Sequence, residues 1–125
     1  MRSTTGSVLL SQKSFELPDE VRRFERGTVE IVNLGEHTVA RATFEPGWRW
    51  SEHVRPIAQT QLCEVEHLGY VVSGRMHVRM SDGTQAEFKA GDVMGVKPQH
   101  DAWVEGNEPC VVIDFAGMEN YAKPD

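Results

Sequence analysis

Three histidines in the middle and C-terminal parts of the chain, His53, His67 and His100, are the side chains best suited to chemistry. Neutral imidazole binds zinc and iron, and it also suits nickel and copper. Three imidazoles around one ion leave a coordination position open for water or a substrate. Two further histidines are expected to be solvated, because His37 lies beside a glycine turn and His77 alternates with arginines.

Arg55 and the two cysteines are the other side chains with functional potential. A planar guanidinium binds carboxylates through two hydrogen bonds, so Arg55 could orient an anionic substrate, or it could turn outward to Glu64 or Glu66. Cys63 and Cys110 lie far apart without the spacing of a metal motif. A disulfide between them is one alternative that nothing requires, and two reduced thiols in a cytoplasmic protein are expected. No neighbour that would activate Cys63 as a nucleophile can be assigned from the sequence.

The elements that must position these residues are short strands separated by turns. Within 75–80, Met76, Val78 and Met80 alternate with polar residues, which is the period of a half-buried strand. A single short helical turn is predicted over 18–25, where Pro18 favours a helix start. Many short strands with frequent turns indicate a sandwich, a barrel or a jelly roll. The further predicted strands are 28–34, 38–45, 67–73, 84–88, 92–96, 101–105 and 109–115.

The composition restricts the class of protein. A chain of 125 residues with 39% hydrophobic and 26% charged residues fits one globular domain. The net charge is −6 and the basic residues are scattered, which argues against nucleic acid as a partner. No apolar run is long enough to span a bilayer, and the apolar segment 8–10 is too short for a signal peptide. The composition therefore predicts a cytoplasmic protein with no membrane partner.

Two stretches of the sequence resemble the cupin family. The first family motif is G-x5-H-x-H-x3,4-E-x6-G, in which Gly47 and His53 match the beginning and Gly74 matches the closing glycine. Gly91 matches the start of the second motif, G-x5-P-x-G-x2-H-x3-N. The resemblance covers about residues 38–115 and is closest to small single-domain bacterial cupins. It implies an all-β fold, a small antiparallel double-sheet jelly-roll barrel around an internal pocket.

The sequence departs from these motifs at the metal ligands that the family implies. Arg55 stands at the second His position, and His67 stands at the Glu position after an insertion over 56–66. In the second motif His100 lies two residues before the expected histidine, where Ala102 stands. If 53–55 is a strand, His53 and Arg55 face the same side, and His100 shares the parity of Ala102. No carboxylate has the parity to join them.

The resemblance and this parity together predict one divalent transition metal, either zinc, iron or nickel. Its expected ligands are His53, His67 and His100, with Arg55 as the substrate-binding residue. The expected function is a metal-binding cupin that acts on, or senses, a small polar and anionic molecule. Whether it is an enzyme stays open. The alternative is a metal-free, non-catalytic module that binds a small ligand or serves as a structural dimer.

The whole chain is predicted to form one domain. Residues 1–25 are expected to form an N-terminal arm with the short helix, 38–115 the barrel core and 116–125 a tail. A homodimer is expected, because small cupins bury edge strands by pairing and because the arm carries Val8, Leu9, Leu10 and Phe15.

Overall fold

The computed structural model describes residues 9–118 and 121–123. Val8 of the predicted arm and parts of the predicted tail lie outside these residues. Within them the chain forms nine strands and two short helices. In chain order they are β1 (Glu20–Phe24), β2 (Gly27–Leu34), β3 (His37–Phe44), α1 (Trp50–His53), α2 (Arg55–Ala58), β4 (His67–Ser73), β5 (Arg75–Met80), β6 (Gln85–Lys89), β7 (Val93–Val96), β8 (His100–Glu105) and β9 (Cys110–Ala116).

The strands form two antiparallel sheets that enclose the core. One sheet has six strands in the order β1-β2-β3-β9-β4-β7, and the other has three in the order β6-β5-β8. Alternate residues of each strand face the space between the sheets, as in β4, where His67, Gly69 and Val71 are buried. The predicted small antiparallel double-sheet barrel is confirmed, and the eight strands predicted from alternation correspond to β2–β9.

The prediction of a helical turn over 18–25 is wrong, because this segment forms the edge strand β1. Its residues pair antiparallel with β2, and Val21 lies opposite Glu30. The Asp19 carboxylate accepts a hydrogen bond from the Asn33 backbone N–H at 2.7 Å instead of capping a helix. Arg22 on the inner face donates to the backbone carbonyls of Met118 and Tyr121, at 2.8 Å each. Strand pairing and this buried guanidinium override the local helix-start signal.

Residues 53–55, to which the prediction applied strand parity, lie in the segment 50–58, which forms the two helical turns α1 and α2. Trp50 anchors the first turn in the core and is 2% exposed. Pro56 lies in the first turn of α2, where its missing N–H costs nothing, and Gln59 ends it in the left-handed conformation. Side chains two apart do not share a face in a helix, so strand parity does not apply to His53 and Arg55.

Gly74, the closing glycine of the first motif, is required by the backbone between β4 and β5. Its φ is +78°, and a Cβ at this position would collide with the carbonyl oxygen of Pro109. No helix in the described part of the chain is long and apolar enough to cross a membrane.

Candidate metal centre

Three buried side chains, Cys63, His67 and His100, meet near the ends of two strands. His67 begins β4 in one sheet and His100 begins β8 in the other. Cys63 lies in the loop before β4, and backbone hydrogen bonds fix it beside β8: its N–H donates to the His100 carbonyl at 2.8 Å, and its own carbonyl accepts from Gln99 at 2.7 Å. One ligand atom from each of the three side chains lies within 4.8 Å of the others.

Each histidine of this group has its Nδ1 atom held by an acceptor. His67 Nδ1 lies 2.8 Å from Oδ2 of Asp114, which is 1% exposed. His100 Nδ1 donates to the Lys97 carbonyl at 2.7 Å. The Nε2 atoms are therefore left for a ligand, and His67 Nε2 lies 3.9 Å from Cys63 Sγ. Metal-binding histidines are oriented in this way, by a carboxylate or a carbonyl on the second ring nitrogen.

Cys63 and His67 shift each other's pKa. Burial opposes the charged form of Cys63, but His100 and His67 outweigh it and lower the pKa of the thiol to about 6. Burial also opposes the charged form of His67, but the hydrogen bonds to Asp114 and Cys63 outweigh it and raise its pKa to about 9. The contact between Cys63 and His67 therefore favours the charged form of each group. Cys110 differs, because burial alone raises its pKa to about 12.

Two spaces adjoin the group. An internal cavity of about 30 Å³ is lined by His67, His100 and Asp114 among others. A cavity needs a volume of about 10–15 Å³ to hold one water molecule, so this cavity has room for an ion with one or two small ligand atoms. Cys63 lines a separate, open cleft of about 560 Å³, and Trp50 and Tyr121 line both spaces.

The polarised thiol makes a prediction for the metal-free protein. Iodoacetamide reacts with thiolate, so we expect alkylation of Cys63 to rise with a midpoint near pH 6 and to level off near neutral pH. Cys110 should stay unreacted throughout this range. Mass spectrometry of the labelled peptides measures both rates, and Cys63→Ser is the control. A Cys63 midpoint near the ordinary value of about 8.5 would contradict the assigned environment.

Two of the predicted ligands, His67 and His100, lie close together in the structure. The third predicted ligand, His53, lies elsewhere. The His53 ring lies at the end of α1, where Nδ1 accepts a hydrogen bond from the Arg49 N–H at 3.0 Å. Its Nε2 atom lies 3.8 Å from a Glu25 carboxylate oxygen. The group of mutually close ligand atoms has Cys63 in the third place instead.

Arg55 lies outside the set of residues that line the internal cavity. Its guanidinium donates to the Gln61 carbonyl at 2.7 Å, and its buried Nε has no hydrogen-bond partner. The predicted alternative ion pair with Glu64 or Glu66 is not among its contacts; Glu66 accepts from Lys97 at 3.0 Å instead. In this conformation Arg55 fixes the loop that leads to Cys63.

Two residues of the site, Cys63 and Asp114, were missed from the sequence. Asp114 carried a usable signal, since it alternates with Cys110 and Val112 on the inner face of β9. The prediction that no carboxylate shares the inward face of the histidines is therefore wrong, because Asp114 faces inward beside His67. Cys63 carried no such signal, because it lies in the insertion, where no strand register can be assigned.

A double-sheet barrel with a buried Cys/His/His group at one end is therefore the class of protein that the geometry defines. A family profile described as the cupin domain matches residues 40–116, which contain all three side chains. The chain belongs to the cupin domain family, and the resemblance read from the motifs is confirmed. No curated protein matches the chain.

Solved structures show the same fold at low identity. Oxalate decarboxylase from Lactobacillus farciminis, in a formate complex, is 23% identical with a TM-score of 0.57, and the match covers 82% of this chain and 32% of that one. A point mutant of the Bacillus subtilis oxalate decarboxylase is 27% identical with a TM-score of 0.55, covering 82% and 29%. An RmlC-like cupin from Shewanella frigidimarina is 19% identical with a TM-score of 0.54, covering 81% and 86%. The chain thus spans about a third of either decarboxylase.

Proposed function

We propose that this cupin binds one divalent transition metal through Cys63 Sγ, His67 Nε2 and His100 Nε2. The observation that carries the proposal is that one ligand atom from each of these three buried side chains lies within 4.8 Å of the other two. The anchored Nδ1 atoms of both histidines support it further. Thiolate and imidazole are the ligands that zinc and other late transition metals prefer. Cys63 takes the role that the sequence assigned to His53.

The spacing of the donor atoms supports binding of one ion. Metal bonds of about 2.1 Å to nitrogen and 2.3 Å to sulfur, at tetrahedral angles, place those two atoms about 3.6 Å apart. The distance from Cys63 Sγ to His67 Nε2 is 3.9 Å. A shift of a few tenths of an ångström in the side chains is enough to bind an ion, and the cavity provides room for a further ligand.

We further propose that the open coordination position serves to act on, or sense, a small polar and anionic molecule. A bound divalent cation attracts anions in a site from which water is largely excluded. The similar solved structures include enzymes named for oxalate, a small dicarboxylate. The internal cavity admits only a few atoms, so a larger molecule would contact the ion through one small group. Arg55 stays a prediction as the residue that binds such a molecule.

Metal analysis tests the proposal. Protein purified without a polyhistidine tag and dialysed against buffer should retain, or take up, one metal ion per chain, as measured by inductively coupled plasma mass spectrometry. Affinity should fall as the pH drops below about 9, because His67 must lose its proton to bind the ion, and more steeply below about 6, where Cys63 is protonated as well. Metal-free protein that gains no ion on incubation would leave the metal-free ligand-binding module as the function.

The chain is also proposed to be cytoplasmic. Both cysteines are free thiols. A cytoplasmic thiol pool keeps cysteines reduced, and a reduced Cys63 is what the proposed site requires.

A homodimer is proposed from the outer face of the six-stranded sheet. Five apolar side chains on β4, β7 and β9 are 41–71% exposed there: Leu68, Tyr70, Val72, Val93 and Phe115. Tyr70 lies directly opposite Val93 on one neighbouring strand and Ile113 on the other, so the surface is continuous. Strand β7 is an edge strand of this sheet. A continuous apolar surface that reaches a free edge is typical of an interface between subunits.

Light scattering tests the homodimer. We expect a mass of two chains at micromolar concentration, and one chain for the double variant Val93→Lys and Phe115→Glu, because charges on this face must be desolvated in the dimer. Gln85→Lys, on the outward side of β6 in the other sheet and opposite Arg79, is the matched control and should leave the dimer intact. A monomeric wild-type protein would contradict the proposal.

A further inference from the structure

Methionine side chains form part of the wall of the internal cavity. Three of the five methionines of the chain line it: Met76, Met94 and Met118. All three are buried, at 4–5% exposure. They line the same cavity as His67 and His100.

Thioether sulfur distinguishes between the metals that a thiolate and two imidazoles could hold. Zinc sites in proteins are built from cysteine, histidine and carboxylate ligands, whereas thioether sulfur is a ligand for copper. One cysteine and two histidines with a weak, distant methionine form the ligand set of copper sites. Copper also heads the affinity order of the divalent first-row metals.

Carboxylate oxygen, which iron and manganese prefer, is not free at this site. Among the described residues, the group of mutually close ligand atoms contains no carboxylate. The nearby Asp114 is already engaged, with Oδ2 on His67 and Oδ1 accepting from the Ala116 N–H at 2.8 Å. Iron and manganese sites usually include carboxylate oxygen, so the arrangement disfavours both.

Strand register places the side chain of Met94 on the same face of the sheet as His67. His67 pairs with Val96 on β7, and Met94 stands two positions away on the same inner face. Such diagonal neighbours lie about 7–8 Å apart, within reach of a long side chain. Met76 is farther from the other ligand, because His100 pairs with Met80, four positions along β5. Four positions correspond to about 13 Å.

We infer that the ion bound by Cys63, His67 and His100 is copper, with the thioether of Met94 as its weak fourth ligand. The inference rests on the proposed metal site and adds the identity of the metal and one further ligand. Copper is held here as Cu(I) or Cu(II), since thiolate and thioether favour the first and imidazole suits the second.

Competition titrations test the inference. Metal-free protein is titrated with Cu(I) against a chromophoric Cu(I) chelator under anaerobic conditions, and separately with zinc. We expect one Cu(I) per chain, and one equivalent of Cu(I) should displace bound zinc. Met94→Leu keeps the side-chain volume. It should weaken Cu(I) binding about tenfold, which is the lower end of the range for losing a residue that supports a metal site. Zinc affinity should stay unchanged.

Met76→Leu is the matched control, equally buried in the same cavity, and should change neither affinity. Melting curves of the metal-free variants show whether each is folded. A second measurement on the wild-type protein needs no variant: added Cu(II) should produce an intense visible thiolate-to-copper absorption that Cys63→Ser removes.

The outcomes separate the identity of the metal from the existence of the site. Zinc bound at one ion per chain but not displaced by Cu(I), or Cu(II) bound without thiolate absorption, would overturn copper and leave the metal site standing. Equal effects of Met94→Leu and Met76→Leu on Cu(I) would overturn Met94 as a ligand. Protein that binds none of these ions would overturn the metal site as well.

Discussion

Replacing His67 by alanine is expected to abolish stoichiometric metal binding. His67 supplies one of three donor atoms, and its loss leaves only Cys63 and His100, too few to hold an ion against a competing chelator. His100→Ala should have the same effect. Isothermal titration and metal analysis after dialysis measure the loss.

His53→Ala is the control that shows whether the metal binds at the proposed site or at the histidine of the family motif. His53 occupies the motif position, but its ring accepts from the Arg49 backbone and is not among the mutually close donors. We expect this variant to keep one metal per chain and to lose only about 1 kcal/mol of stability with the hydrogen bond. His77→Ala should also change nothing, because His77 stacks on Trp103 on the outer face. Loss of the metal in His53→Ala, with retention in His67→Ala, would contradict the assignment.

Asp114→Asn is expected to weaken metal binding by about 10–100-fold, although Asp114 is not a ligand. Its carboxylate holds His67 Nδ1 at 2.8 Å, which fixes the ring so that Nε2 faces Cys63 and raises its electron-donating power. An amide of the same shape accepts a weaker hydrogen bond. The metal-free variant should also unfold more readily, by less than the contribution of a hydrogen bond to a charged group, about 1.5–3 kcal/mol, since the amide keeps a weaker hydrogen bond.

The control for Asp114 is Asp101→Asn. Asp101 also binds backbone N–H groups, those of Ser51 and Ala102, at 3.0 and 2.9 Å, but it has no contact with His67 in the structure. We expect it to leave metal affinity within about twofold of the wild type, whatever its effect on stability. If both variants lowered the melting temperature and neither changed metal affinity, Asp114 would be a structural residue only.

Most of the strands could be predicted from the sequence, because apolar and polar residues alternate along them. In β5, Met76 and Val78 face inward while Arg75 faces outward, and the glycines between strands mark turns that other residues would strain. The first strand was not predictable in the same way. The local signal at Pro18 favours a helix, and only pairing with β2 and the buried hydrogen bonds of Arg22 make the segment extended.

Two of the three proposed metal ligands could be predicted from the sequence. His67 and His100 begin strands whose parity the sequence shows, so both were placed in the interior correctly. His53 was misplaced because its assignment assumed a strand where the structure has the helix α1. Cys63 could not be found, since its position depends on the backbone contact with His100 across the sheets.

X-ray absorption spectroscopy of the zinc-loaded protein tests the central claim most directly, because it reports the atoms bound to the ion. The proposed site predicts one sulfur at about 2.3 Å and two imidazole nitrogens at about 2.0–2.1 Å, with the sulfur contribution lost in Cys63→Ser. A first shell of nitrogen and oxygen only, unchanged in Cys63→Ser, would contradict the proposed site and return the metal to a histidine-only site.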